Sequence, residues 1–425
     1  EEAVTNRLLL VMPGETYAPG SATGKFGTPS PLAAGTTATL TVYAVDKQWN
    51  KVRTDSSTQV RIVTTDPNDV HPPDNVVTGG TVTFSVASGP WYPRTASTIT
   101  VTAMQTNNPS VSGSTSPVVT VNPGPATRLQ ILAAGETGAP GSLSGKTGSV
   151  VTWTAGVSTG VRVNLTDDWW NLRTGDAATV GLVTSDLYDA TPGNQSLVSG
   201  TTVFNPMPVT RTGSLTMTSL SISPIIYSTM TTPSLTVYAS TATRLLVLPP
   251  NQTNWEGNQA EKGRSYPSDI ISQVVNTAFT VKVFAVDPWW NVTAATPTVT
   301  LTASDPAATV PPPQPLSPVT TGTLFQVRLE LAAQTTIGAG AGGYSADIAT
   351  IPVVSPNALS KLLVLLPGET QAPGTASGKT GSLTAQTAGL SFPVTVLGTD
   401  LYWNTVSTNT TVDLRVIDEW RSRYA

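Results

Sequence analysis

A set of three ordered markers recurs four times along this chain, so it must fold as a series of like modules. The first marker reads RLLLVMPGET from Arg7, RLQILAAGET from Arg128, RLLVLPPNQT from Arg244 and KLLVLLPGET from Lys361. The second is Asp-x-x-Trp-Asn, as DKQWN from Asp46, DDWWN from Asp167, DPWWN from Asp287 and DLYWN from Asp400. The third is a strand-like run closed by Asp66, Asp186, Asp305 and Asp418. Successive copies start 121, 116 and 117 residues apart, dividing the chain into modules at 1–124, 125–242, 243–357 and 358–425.

Within a module the pattern is that of strands. TATLTVYAVD, GVRVNLTDD, AFTVKVFAVD and FPVTVLGTD alternate apolar and polar residues at period two, as a strand with one face on a core does. Val and Thr suit that pleated surface. GGTVTFSV, STITVTAM and TGTLFQVRLELAA read as further strands, and SPVVTVNPG, PSLTVYAST and ATIPVVSPN close the modules. No segment carries a sustained helical stripe. About seven short strands per module, punctuated by turns, predict an all-β chain of tandem β-sandwiches.

Composition narrows the function classes. Charged residues are only 11% of the chain while Pro and Gly number 35 each, which fits Thr/Ser-rich strands and tight turns. A net charge of −4 argues against a nucleic-acid partner, which needs a basic surface. With no cysteine, thiolate metal sites and thiol catalysis are excluded, and a module that buries its own core needs no disulfide. The one histidine, His71 in NDVHPPDN, reads as a solvated loop residue and cannot build a multi-histidine metal site. No apolar run is long enough for a transmembrane segment. EEAVTNRLLLVMPGE lacks the basic flank and long apolar core of a signal peptide.

Taken together, these markers resemble the tandem immunoglobulin-like repeats of large bacterial surface and secreted proteins, of the invasin/intimin and fibrous-adhesin type, over essentially the whole chain. The third module departs from the pattern at PPNQTNWEGNQAEKGRSYPSD, so its first loop is expected to differ in shape. The resemblance implies an extracellular, cell-surface structural or adhesive protein without catalytic activity. Its expected form is a rod of immunoglobulin-like sandwiches stacked end to end, and the Pro-containing junctions VNPGPATR, YASTATR and VSPNALSK suit that form. The leading expectation is a fibre subunit that self-associates head to tail. The alternative is an adhesin stalk that presents a ligand- or glycan-binding tip from outside this segment.

The fourth module carries only EWRSRYA after Asp418, and half a sandwich leaves an apolar face and unpaired edges. That half is expected to be completed either in cis or by strands from another subunit.

Candidate sites follow from the same markers. The loops GSATGKFG from Gly20, GSLSGKTG from Gly141 and GTASGKTG from Gly374 are one residue short of a P-loop, and no helical pattern follows, so they read as surface turns. Asp46, Asp167, Asp287 and Asp400 are candidate calcium ligands by their hard oxygens, with Asp66, Asp186, Asp305 and Asp418 as second donors only if strand ends meet; no other cofactor is indicated. The structural reading has these aspartates forming turns. Trp49, Trp170, Trp290 and Trp403 would then pack at module ends. Their neighbours Trp169, Trp289 and Tyr402 would point outward, from adjacent strand positions, to contact a module, a subunit or a host glycan. N-glycosylation sequons occur at Asn194, Asn251, Asn291 and Asn409, and at Asn164 inside a strand pattern.

Overall fold

The computed structural model describes residues 4–416 apart from 206, 208, 319 and 320, so Asp418 lies outside the described residues. The described chain is all-β, a series of small sandwiches whose only helical pieces are two single 3-10 turns, Val86–Ser88 and Pro267–Asp269. No described helix is long and apolar enough to cross a membrane. The residues group into two compact units. One ends at Val237; the other holds Tyr238 onward together with Thr154–Gly156 and Thr210–Thr212.

The first module shows the plan. Strand β1 (Arg7–Val11) is followed by β2 (Glu15–Tyr17), β3 (Lys25–Gly27), β4 (Leu32–Ala33), β5 (Leu40–Val45) and β6 (Gln59–Thr64). Then come β7 (Asn75–Val76), β8 (Thr81–Phe84), β9 (Thr98–Ile99), β10 (Val101–Gln105), β11 (Ser114–Thr115) and β12 (Val119–Asn122). One sheet runs β1-β5-β8 and the other β11-β10-β6-β7, while β12 joins β4 in parallel and β9 antiparallel. The strands are more numerous and shorter than the sequence suggests, several of only two residues, because Gly, Pro and Asn interrupt the runs.

The inward set of β5, namely Leu40, Val42 and Ala44, meets Val60 and Ile62 of β6 and Val101 and Ala103 of β10 in one core. β1 is apolar without alternation because both of its faces are covered. Leu8 and Leu10 enter the main core, while Leu9 and Val11 lie with Val45 beneath Tyr17, Tyr43 and Trp49. The cover of that second face is the β2–β3 hairpin, which the glycine loop closes. The second and third modules repeat the plan: Arg128–Leu132 and Arg244–Leu248 pair with Val161–Thr166 and Phe279–Val286 in matching register.

One departure from the sequence reading has a local cause. In the third module TGTLFQVRLELAA yields a strand only over Thr323–Val327. Asp305 captures the N–H groups of Glu330 and Leu331 at 2.7 and 2.9 Å and turns the chain there. The first loop of that module does differ in shape, as its sequence leads one to expect: the hairpin is replaced by a loop bridged between Asn254 and Arg264, in which Trp255 meets Tyr266 edge-on at 5.1 Å.

The fourth module contributes Lys361–Leu365 paired with Thr395–Thr399, plus the hairpin of Glu369–Gln371 and Lys379–Gly381. Leu363 is buried under the hairpin, yet Leu362 and Val364 are 47% and 38% exposed. Their counterparts Leu8 and Leu10 are 1% and 0% exposed, since a second sheet faces them.

Candidate functional site: the joint between modules

Each Asp-x-x-Trp-Asn marker is a tight turn at the end of a long strand, built by its aspartate. Asp167 Oδ1 accepts the N–H of Trp169 at 2.8 Å and of Asn171 at 2.9 Å. Asp46 holds Gln48 and Asn50 in the same way, Asp287 holds Trp289 and Asn291, and Asp400 holds Tyr402 and Asn404. The aromatic pairs therefore belong to a turn and not to a strand, which corrects the expectation of opposite strand faces. The turn drives the fourth residue into the left-handed region, with φ of 68° at Trp49, 65° at Trp170, 69° at Trp290 and 68° at Trp403. A bulky side chain tolerates that backbone only where its surroundings fix it.

The fixing groups are the other repeated residues. The Arg7, Arg128 and Arg244 guanidinium carbons lie 4.4, 4.8 and 5.1 Å from the ring centroids of Trp49, Trp170 and Trp290, and Lys361 Nζ lies 4.1 Å from that of Trp403. The glycines Gly24, Gly145, Gly263 and Gly378 also abut these tryptophans, so closely that a Cβ on any of them would collide with the indole. Trp49, Trp170 and Trp403 donate from Nε1 to the carbonyls of Ala22, Leu143 and Ala376 in the same loops, at 3.2 to 3.3 Å.

The lysine beside that glycine is committed within its own hairpin. Lys25 Nζ meets Glu15 Oε2 at 2.7 Å and the Leu10 carbonyl at 2.8 Å, while the same glutamate oxygen accepts the Met12 N–H at 2.9 Å. Lys146 pairs with Glu136 at 2.6 Å and Lys379 with Glu369 at 2.9 Å. The Leu366 N–H, and then Lys379, hold the Glu369 carboxyl below its usual range. The Gly-Lys loop is thus a staple that fastens the hairpin over β1 and its equivalents.

The asparagine reaches out of its own module. Asn171 Nδ2 donates to the Arg94 carbonyl at 2.8 Å and its Oδ1 accepts the Ala96 N–H at 2.7 Å. Asn404 does the same to Glu330 and Ala332, both at 2.8 Å. Within the second unit Asn291 pairs with the Thr210 carbonyl at 2.7 Å and the Thr212 N–H at 3.1 Å. The gripped loop is held from behind by the third marker: Asp66 Oδ2 accepts the N–H groups of Arg94 and Thr95 at 2.8 and 2.9 Å. Asp305 plays that part for Glu330 and Leu331. The second oxygen of the turn aspartate catches the incoming linker, as Asp167 Oδ2 accepts Gly124 N–H at 2.7 Å, Asp287 Oδ2 Ser240 N–H at 3.0 Å and Asp400 Oδ2 Asn357 N–H at 3.1 Å.

The residue two after the aspartate completes the joint. Trp169 lies against Gly35, a left-handed turn residue of the preceding module, with the Arg94 guanidinium 4.0 Å over its ring and Tyr92 at 6.1 Å. Trp289 lies against Gly156, and the Tyr402 hydroxyl is 3.2 Å from Asn276 Oδ1. Gly35, Gly156 and Asn276 all have positive φ, at 73°, 77° and 62°. The sequence reading did not pick out these turn residues or the 94–96 loop, because no single residue type marks them.

The remaining candidates fall as follows. Both oxygens of Asp167, Asp287 and Asp400 accept N–H donors, and these carboxylates are 1%, 0% and 0% exposed. Among the described residues no three acidic or histidine side chains gather where a metal could sit. Asn194, Asn251 and Asn409 are exposed, whereas Asn291 is wholly buried with its amide engaged by Asp287 and Thr210, which rules it out as a glycan acceptor in the folded chain. His71 is half exposed, 3.0 Å from Asp69 Oδ1.

No family model and no curated protein matches the chain. Among solved structures, that of invasin, a bacterial integrin-binding protein, is similar at 12% identity and a TM-score of 0.26, over 86% of this chain and 62% of that one. Domains 1–6 of the surface layer protein SbsC are similar at 13% identity and 0.20, over 98% and 63%. The C-terminal fragment of intimin, solved with the intimin-binding domain of its translocated receptor, is similar at 15% identity and 0.18, over 57% and 67%. The chain thus spans a little under two thirds of the invasin and SbsC structures. All three overlaps are loose, and the functional reading rests on the joint itself.

Proposed function

We propose that this chain is a non-enzymatic structural element of an extracellular bacterial fibre or surface stalk, built from serial modules that each grip the backbone of the one before. The observation that carries this reading is the thrice-repeated joint in which Asn171, Asn291 and Asn404 grip the backbone of the preceding module. A chain selected only to fold needs no such device between modules, and a flexible tether would dispense with it. The markers most repeated in the sequence are spent on joints and on the hairpins behind them, not on a cleft with convergent reactive groups.

Head-to-tail self-association into a filament is the finer form of the proposal. Its support is the open face around Leu362 and Val364, together with exposed Leu383, Leu390 and Phe392, which suits strand addition from another copy. Electron microscopy and light scattering on residues 1–425 against 1–357 test this form. Filaments from the longer chain alone are expected. Equal, monomeric behaviour of both would reject filament assembly through the fourth module, and specific glycan binding by isolated single particles would favour the adhesin stalk.

A further inference from the structure

The first module carries the whole gripping side of a joint, and among the described residues nothing lies in the grasp of its asparagine. Asp46 Oδ1 accepts the N–H groups of Gln48 at 2.9 Å and Asn50 at 2.8 Å, and Asn50 Nδ2 donates to Asp46 Oδ2 at 3.1 Å. The turn is therefore set as it is at Asp167, Asp287 and Asp400. Trp49 has the same left-handed backbone, Gly24 behind it and Arg7 over its ring. The chain enters along the same track too: Asn6 N–H donates to Val45 O as Thr127, Thr243 and Ser360 donate to Thr166, Val286 and Thr399. What differs is exposure. Asn171, Asn291 and Asn404 are 1%, 0% and 2% exposed, but Asn50 is open to solvent, and so is Gln48 at the position of Trp169, Trp289 and Tyr402.

We propose that Gln48, Asn50 and Asp46 form a docking face for a further module of this repeat, joined in series through the segment that enters at Asn6. This rests on the joint described under the proposed function. The partner is defined by its chemistry: a sandwich end that offers a carbonyl and, two residues on, an N–H, beside a left-handed turn. Arg94, Ala96 and Gly35 present that set to the second module. Three such loops occur among the described residues, and Asn171, Asn291 and Asn404 occupy all three, so a second copy of the described residues has none to spare. That favours attachment in series over pairing in trans. Gln48 in place of an aromatic makes this face more polar than the other joints.

The test compares the 425-residue chain with an extended chain in which a copy of residues 4–127 is joined ahead of Arg7. Amide exchange of the added copy's 94–96 loop and denaturant unfolding are read with and without Asn50→Ala. In the extended chain Asn50→Ala is expected to cut protection at the added Ala96 N–H by at least about tenfold, as loss of two partly buried hydrogen bonds does. It should leave the original chain unchanged, while Gln48→Trp should raise protection only in the extended chain. Equal effects of Asn50→Ala in both chains would overturn the proposal. So would self-association of the original chain abolished by Asn50→Ala, which would assign the face to a contact in trans. Asn171→Ala in the same extended chain separates the two readings: if it too has no effect, the joint reading has failed, and if it alone acts, only the docking face has.

Discussion

Asn171 donates from Nδ2 to the Arg94 carbonyl at 2.8 Å and accepts the Ala96 N–H at 2.7 Å, pairing one side chain with a loop more than 70 residues upstream. Asn171 is buried and the loop it grips is partly so, and truncation leaves that loop's carbonyl and N–H without their side-chain partner. Asn171→Ala is expected to cost about 1–3 kcal/mol, with Asn404→Ala similar. Asn50→Ala, on the open copy of the turn, should cost close to nothing. Denaturant unfolding gives the energies, and amide exchange at Ala96 reports whether the loss falls at the joint. Equal effects at Asn50 and Asn171 would remove the asparagine from any role between modules.

Trp170 tests the turn from the inside. Its ring lies under Arg128 and against Gly145, while its backbone has φ of 65°. Trp170→Ala should destabilise by about 2 kcal/mol, less than a core aromatic truncation, because the ring is only partly buried. Gly145→Ala should cost more than the roughly 1–2 kcal/mol of its left-handed backbone alone, because the new Cβ collides with the indole. Arg128→Gln should cost only about 0.5–1 kcal/mol, as an exposed cation–π contact does. If Gly145→Ala is neutral, the close approach of Gly145 and Trp170 is not a constraint on the fold.

These residues show what the sequence could and could not disclose. Period-two alternation revealed strands such as Leu40–Val45, because that pattern is local and the core reads it directly. Recurrence singled out Asp167, Trp170 and Asn171 together, since each is needed in every copy. It did not say that Asn171 faces the preceding module while Trp170 faces its own, because the left-handed backbone of Trp170 itself takes this stretch out of the strand geometry from which side-chain directions are read. The 94–96 loop was hidden for another reason. It is recognised through its backbone, so Arg94 and Ala96 in one module become Thr210 and Thr212 in the next with no shared side-chain signal. The Gly-Lys loop was legible from its spacing as a surface turn and not a P-loop; what the spacing did not show is that Lys25 has a partner, Glu15, inside its own hairpin.

That staple makes its own prediction. The Glu15 side chain is 2% exposed and Lys25 15%, so removing the lysine strands a nearly buried carboxylate. Lys25→Met should therefore destabilise more than the double change Glu15→Gln with Lys25→Met, where no charge is left unpaired. Magnesium nucleotide should not shift the melting temperature of the unaltered chain, because Lys25, Lys146 and Lys379 are already engaged. A double variant less stable than the single one would show that the Glu15 carboxylate is held by the Met12 N–H and does not need Lys25.

Acid should loosen the first joint through Asp66. Burial opposes ionisation of this carboxyl, but hydrogen bonds from Thr95, Asn68 and Arg94 outweigh it and hold the group below its ordinary value. The folded state thus binds the proton less tightly than the unfolded chain. The resulting stability is complete above the unfolded value of about 3.9 and is lost as pH falls through the lower, folded value. Asp46 carries the same sign: its slight desolvation is outweighed by hydrogen bonds from Asn50 and Gln48. Asp189 runs the other way. Burial, with Asp186 nearby, raises its carboxyl despite the Thr184 hydroxyl, so the stability it contributes is present at low pH and lost as pH rises through its folded value. Melting temperature followed from pH 7 down to pH 2 should fall most steeply at the acid end. Asp66→Asn should lower stability at neutral pH and flatten that acid limb, since the substituted side chain has no proton to gain. Asp189→Asn should instead flatten the decline on the neutral side. An Asp66→Asn chain with the original acid limb would place the acid sensitivity elsewhere, and the 94–96 loop would then be held by its packing and not by the carboxylate behind it.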